Sequence, residues 1–216
     1  MKEKIIIWGA SGHAKVVSDI VRTAGNYEII GFIDDVRPDR KAMEFCGSYV
    51  LGGREQLNEV YNCGVRHLIF GFGNCKARLD LTNVVIQKGF SLAIAIHPKA
   101  IVANDIFVGD GTVIVGGAVV NPGCNIGSNV IINTSSSVDH DCLIDDGAHI
   151  APGVRMAGNV HIGRGTWIGI GTIIKDGVKI GKNTIIGAGS VVLDDIPDNV
   201  VAYGLPAHII RSNTHE

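Results

Sequence analysis

Residues 131–154 read IINTSSSVDHDCLIDDGAHIAPGV, and four aliphatic residues in this stretch, Ile132, Val138, Ile144 and Ile150, stand six apart. Working outward, the same step reaches Val102, Val108, Ile114, Val120 and Ile126 on one side. On the other it reaches Met156, Ile162, Ile168, Ile174, Ile180, Ile186 and Val192. Four residues after most of these stands a small or β-branched side chain, as at Thr112, Ala118, Cys124, Ser136, Cys142, Ala148, Thr166 and Thr184. An amphipathic helix repeats about every 3.6 residues and an alternating strand about every 2, so neither gives a period of six. A solenoid of short strands and sharp corners does. Gly, Asn and Asp fill the corners, as in Ile162-Gly163-Arg164-Gly165 and Ile180-Gly181-Lys182-Asn183. Three hexapeptides close a triangular coil of 18 residues, and the sequence encodes about five coils with aliphatic side chains stacked inside.

The segment Val138-Asp139-His140-Asp141 interrupts this pattern of small and apolar residues. Counting from Val138 puts Asp139, His140 and Asp141 at a corner, outside the core. One coil later the residue stacked on His140 is Gly158, and one coil earlier it is Pro122. A histidine over a glycine forms a notch. Histidine titrates near neutral pH and suits proton removal from an attacking amine. Asp141 is placed to orient the ring, and the Gly158 N–H can stabilise a developing oxyanion. The competing reading is a polar turn residue. His149 stacks on Trp167, which simple ring packing also explains, and His161 reads as a surface residue. Cys124 and Cys142 occupy inward slots on adjacent coils and read as core.

The first half has a different texture. IIIWGASGHAK (residues 5–15) predicts a buried strand over 5–8, a tight turn at Gly9-Ala10-Ser11-Gly12 and a helix over 13–23. A second strand over 27–33 ends in Asp34-Asp35. A third over 65–70 runs into Gly71-Phe72-Gly73-Asn74 and a helix through about 88. This alternation predicts a small Rossmann-like α/β domain with a parallel sheet that meets ligands at the carboxyl ends of its strands. Gly9-x-x-Gly12 alone is a weak signal, since such glycines also serve strand-to-helix turns. Together, the three strand ends favour a nucleotide site. His13 is placed to reach a phosphate or to cap its helix.

Lys and Arg number 19 against 21 Asp and Glu in 216 residues, without a basic cluster, which argues against nucleic acid. The chain has no apolar span of about 20 residues, so membrane insertion is not expected. The five cysteines are scattered and lack CxxC spacing, which fits a reducing cytoplasm.

The repeat, with the tail Ala202-Tyr203-Gly204-Leu205-Pro206-Ala207, resembles the hexapeptide-repeat acyltransferases over roughly residues 100–206. Its pairing with GASGHA (residues 9–14) and the double aspartate looks like the bacterial N-acetyltransferases acting on nucleotide-linked 4-amino-4,6-dideoxy sugars, and the related sialic acid O-acetyltransferases. The resemblance implies a left-handed parallel β-helix over residues 98–216 and a nucleotide-sugar-binding domain over residues 1–97. It further implies a homotrimer with active sites between subunits, acetyl-coenzyme A as co-substrate and no metal. By the same resemblance His140 is the general base with Asp141 as its helper, and His149, Gly158, Ile170 and Ala188 contact the coenzyme. Ser11, Gly12, His13, Asp34 and Asp35 match the nucleotide motif, and Gly9, Gly73 and Asn74 complete the expected substrate set. Three other readings stay open: O-acetylation of a sialic acid or a similar free sugar, metal-dependent hydration as in γ-type carbonic anhydrases, and a structural solenoid without chemistry, which leaves the His-Asp corner unexplained. For the hydration, the spacing of His140, His149 and His161 is unfavourable.

Overall fold

The computed structural model describes residues 2–214. It opens with β1 (Glu3–Trp8), α1 (Gly12–Ala24), β2 (Tyr27–Ile33), β3 (Glu44–Phe45), β4 (Ser48–Gly52), α2 (Leu57–Asn62), β5 (His67–Phe70), α3 (Cys75–Gln87) and β6 (Ser91–Leu92). Ile5, Ile6 and Ile7 are all fully buried, because β1 is the inner strand of a sheet covered on both faces, which calls for a continuous apolar run. The sheet order is β3-β4-β2-β1-β5-β6, parallel except for the β3–β4 hairpin. That hairpin has no counterpart in the sequence reading. Its first strand has two residues, too few for a period to register, and the turn to the second uses Cys46 and Gly47 at positive φ. In this order β1 has β2 on one side and β5 on the other, so successive crossovers leave in opposite directions and open a crevice at the strand ends.

The first unit extends to Pro98 and the second begins at Lys99. In the second, two-residue strands recur every six residues from Ile101–Val102 to Val191–Val192. Up to Ile173–Ile174 each pairs in parallel with the strand 18 residues on: Ile131 with His149 on one face, Ser137 with Arg155 on the next, Leu143 with His161 on the third. This is the left-handed parallel β-helix of the hexapeptide repeats. Ile114, Ile132, Ile150, Ile168 and Ile186 form a wholly buried inner column. Each such side chain contributes about 1.5–3 kcal/mol by burial. The small inward slots are satisfied as well as filled: Thr112 Oγ1 donates to the Gly127 carbonyl at 2.8 Å and Thr166 Oγ1 to that of Gly181 at 2.6 Å.

From Gly111 to Gly189 the fourth residue of each hexapeptide turns the corner in the left-handed region. Glycine usually holds that place, while Asn129, Asn159 and Asn183 use the tolerance of asparagine for it. Asp141, at φ 58, is the aspartate in this series. Strands Val200–Gly204 and Ala207–Ser212 form an antiparallel hairpin at the end of the helix.

Candidate active site

His140 lies on the edge between the Ser137 face and the Leu143 face. Its ring is held from three directions. Asp141 Oδ2 is 2.8 Å from Nδ1; an ionised carboxylate only accepts, so Nδ1 carries the proton and Nε2 is left with its lone pair. Asp139 Oδ1 accepts from the His140 backbone N–H at 2.8 Å and from Asn121 Nδ2 at 2.8 Å, which fixes the turn from the preceding coil. Above the ring is Gly158, where a Cβ would come within 2.6 Å of Cε1 and 2.7 Å of Nε2. The imidazole therefore rests on a bare backbone, and the side chain remains more than half exposed. The bond to Asp141 raises the His140 pKa above its usual value, with the charges of Asp139 and Asp141 adding to it. The hydrogen bonds from Asn121 and the His140 N–H hold Asp139 below the usual carboxylate range. Among the described residues the Gly158 N–H meets no acceptor.

The four residues expected to contact a coenzyme divide between two places. Gly158 belongs to the His140 corner. Ile170 and Ala188 project, exposed, from a different edge, where Gly189 N–H donates to the Ile170 carbonyl at 2.8 Å. His149 stands on the face beside that edge. Its ring packs on Trp167 with centroids 4.6 Å apart, and Nε2 is 3.2 Å from Asn133 Nδ2. The Ser137–Arg155–Ile173 face separates the two groups within one chain. Cys124 and Cys142 are core residues whose thiols donate to the Asp139 and Ala157 carbonyls at 3.0 and 3.3 Å. His161 pairs with Asp145 at 3.1 Å on a flat face.

In the first unit the ends of β1, β2 and β5 line a cleft of about 470 Å³. Gly9, Ser11, Asp34, Asp35 and Asn74 are on its wall, and so are Trp8, Val36, Arg37, Arg54 and Phe72. Gly9 has φ +125, and a Cβ there would lie 2.9 Å from the Gly71 carbonyl, so the β1 and β5 ends can meet only at glycine. Gly12, His13 and Gly73 are not on the wall. The Gly73 carbonyl turns away to accept from Arg78 Nη1 at 2.5 Å, and Asn74 caps α3 through Ala77 N–H at 2.8 Å. Burial and the Arg78 charge lower the His13 pKa to about 4, so the ring is neutral near pH 7.

The two aspartates have different partners. Asp34 is 5% exposed; Oδ1 accepts from the Val36 and Arg37 amides at 3.0 and 3.3 Å. Its Oδ2 has no hydrogen bond and sits 3.6 and 3.7 Å from the Arg37 and Arg40 guanidinium groups. Asp35 is fully engaged by Arg54, through the backbone N–H at 2.7 Å, Nε at 2.9 Å and Nη2 at 2.8 Å. Arg54 is thereby held over the Trp8 ring, 5.7 Å from its centroid. Arg37 and Arg40 both donate to the Ala10 carbonyl in the turn before α1. Sequence reading missed these three arginines because they lie in segments without periodicity. Arg37 and Arg40, close behind the double aspartate, were the available hint.

Comparison with known proteins agrees with both halves. The PglD N-terminal domain model matches residues 4–85, and the bacterial transferase hexapeptide (six repeats) model matches residues 159–194. An asparagine-for-histidine variant of perosamine N-acetyltransferase from Caulobacter crescentus, solved with CoA and GDP-perosamine, superposes with a TM-score of 0.92. Identity is 35%, covering 96% of each chain. The chain belongs to the hexapeptide-repeat nucleotide-sugar N-acetyltransferases. The acetyltransferase domain of PglB from Neisseria gonorrhoeae FA1090, solved with acetyl coenzyme A, is 35% identical with a TM-score of 0.90, covering 97% of this chain and all of that one. GDP-perosamine N-acetyltransferase of Escherichia coli O157:H7 is 27% identical over 179 residues, 80% of this chain and 78% of that protein.

Among the described residues no three His, Cys, Asp or Glu side chains gather to hold a metal ion. None of the described helices is long and apolar enough to cross a membrane.

Proposed function

We propose that this acyltransferase moves the acetyl group of acetyl-coenzyme A to the 4-amino group of a nucleotide-linked 4-amino-4,6-dideoxy sugar. The cleft of the first unit takes the nucleotide, with Arg37 and Arg54 on its wall offering positive charge to a diphosphate. His140 is the general base. Its Nε2 takes a proton from the amine as the nitrogen attacks the thioester carbonyl. The Gly158 N–H donates to the oxyanion, and the tetrahedral intermediate collapses with the coenzyme A thiolate leaving. No acyl-enzyme forms. The observation that carries this reading is the imidazole seated on Gly158 with Nδ1 committed to Asp141.

The separation of Ile170 and Ala188 from His140 supports a homotrimer whose active sites lie between subunits, since side-by-side prisms bring different edges together. The GDP-perosamine bound to the C. crescentus enzyme and acted on by the E. coli relative favours a GDP-linked sugar. Release of free coenzyme A, measured against a panel of UDP-, dTDP- and GDP-linked 4-amino sugars and free sialic acid, tests the assignment. Turnover of an amino-sugar nucleotide is expected. Turnover of sialic acid alone would overturn it.

A further inference from the structure

The His140–Asp141 pair is seated between two glycines, one on each adjoining coil. Gly158 lies over the imidazole. Gly123, 18 residues before Asp141, lies under the carboxylate: a Cβ there would come within 2.4 Å of Asp141 Oδ1 and 3.3 Å of Cγ. We propose that Gly123 is a positioning residue for acetyl transfer, absent a side chain so that the Asp141 carboxylate can lie where it holds Nδ1 of His140. The proposal rests on His140 acting as the base.

Gly123 has φ +75, so turn geometry alone also favours glycine there. The same corner, however, carries Asn159 one coil beyond Asp141, and Asn129 and Asn183 occupy equivalent corners elsewhere. A left-handed residue with a side chain is therefore tolerated in this helix. What distinguishes Gly123 is its neighbour. Gly177, on the same edge at φ +73, has nothing within 4 Å of an added Cβ. Relieving the clash at Gly123 requires the carboxylate to move by about 1 Å, from 2.4 Å to ordinary contact at 3.4 Å. Asp141 is exposed, so that movement costs the fold little. It does cost the pair its 2.8 Å bond. A misplacement of this size in a catalytic group is worth roughly 10²-fold in rate. The groups acting on His140 are Asp141, Asp139 and the Cys124 thiol. A Cβ at position 123 meets the first of these.

The test compares Gly123→Ala, Gly123→Asn, His140→Ala and a control, Gly64→Ala, which carries the same kind of strain at φ +87 in open space. For both Gly123 variants kcat falls roughly 100-fold with little change in either KM. The acid limb of kcat/KM moves down toward the ordinary histidine value of about 6.5. An NMR titration of the His140 ring reads the same shift without turnover. The Gly64 variant keeps wild-type kinetics. If Gly123→Asn keeps the wild-type kcat and acid limb while His140→Ala is inactive, glycine serves only the turn, and the proposal fails while the base assignment stands. If His140→Ala keeps full activity, the base assignment falls and the proposal with it.

Discussion

In the β-helix a residue's neighbour on the next coil is 18 positions away, whereas the cleft of the α/β unit is assembled from loops whose mutual contacts follow no period. At the His140 corner, arithmetic on the sequence therefore yields a three-dimensional contact: His140 on Gly158, His149 on Trp167. At the cleft the sequence names the strand ends and goes no further. The two regions also hold charge differently. The corner leaves its imidazole exposed beside one carboxylate, while the cleft sets Asp34 under two guanidinium groups and spends Asp35 on a third.

The largest effect that tests this contrast is at the corner. His140→Ala should lower kcat by a factor on the order of 10²–10⁴ while isothermal calorimetry still detects coenzyme binding. Asp141→Asn replaces the charged acceptor that raises the His140 pKa with a neutral one. A base must be neutral to act, so with the wild-type pKa raised, activity falls on the acid side from above about 6.5; the asparagine variant should show its limb at lower pH with a reduced plateau. An unmoved limb would mean that another group titrates. His161, paired with Asp145 on a flat face, offers the comparison: His161→Ala should leave kcat within about twofold. A loss as large as that of His140→Ala would end the distinction between the corner and the flat face.

The next effect is one of stability and belongs to the α/β unit. His13 has a folded pKa near 4 against an ordinary 6.5, so between these values the unfolded state binds the extra proton. Stability is whole above about pH 6.5 and is lost as pH falls toward 4. The total is at most about 3 kcal/mol, since part of the residue is exposed. Of the chain's two tryptophans, Trp8 lies in this unit and Trp167 in the helix. In a Trp167→Phe background, urea midpoints followed by Trp8 fluorescence should drop between pH 6.5 and 4.5. His13→Gln should flatten that drop. An equal drop in the His13→Gln protein would assign the acid sensitivity to other groups.

These results bear on how much was legible beforehand. The coil, its interior column, the Cys124 and Cys142 slots and the His140–Gly158 contact all follow from one period, because stacking converts sequence distance into space. The strands and helices around Gly9, Asp34 and Gly71 were legible to within a few residues, because a buried parallel sheet demands aliphatic runs. Missing were the β3–β4 hairpin, α2, β6, the C-terminal hairpin and the arginines. A two-residue strand has no periodicity, and a guanidinium on a long side chain reaches partners that spacing does not specify: Arg54 finds Asp35 from 19 residues away, and Arg40 finds Ala10 from 30. Gly123 was also silent, because a glycine at a left-handed corner is expected on any reading.

The smallest effect decides whether the double aspartate is one feature or two. Asp34 and Asp35 are adjacent in sequence, yet the Asp35 carboxylate is occupied by Arg54, whereas Asp34 Oδ2 accepts no hydrogen bond in the cleft wall. If Asp35 acts only by holding Arg54 against Trp8, then Asp35→Asn and Arg54→Ala should each raise KM for the sugar nucleotide by about tenfold, roughly 1.4 kcal/mol. Neither should change KM for acetyl-coenzyme A. The double variant should be no worse than Arg54→Ala alone, because the second change removes a support whose load is already gone. Additive losses would mean that the Asp35 carboxylate touches the nucleotide itself, and the separation of roles drawn from its contacts would collapse.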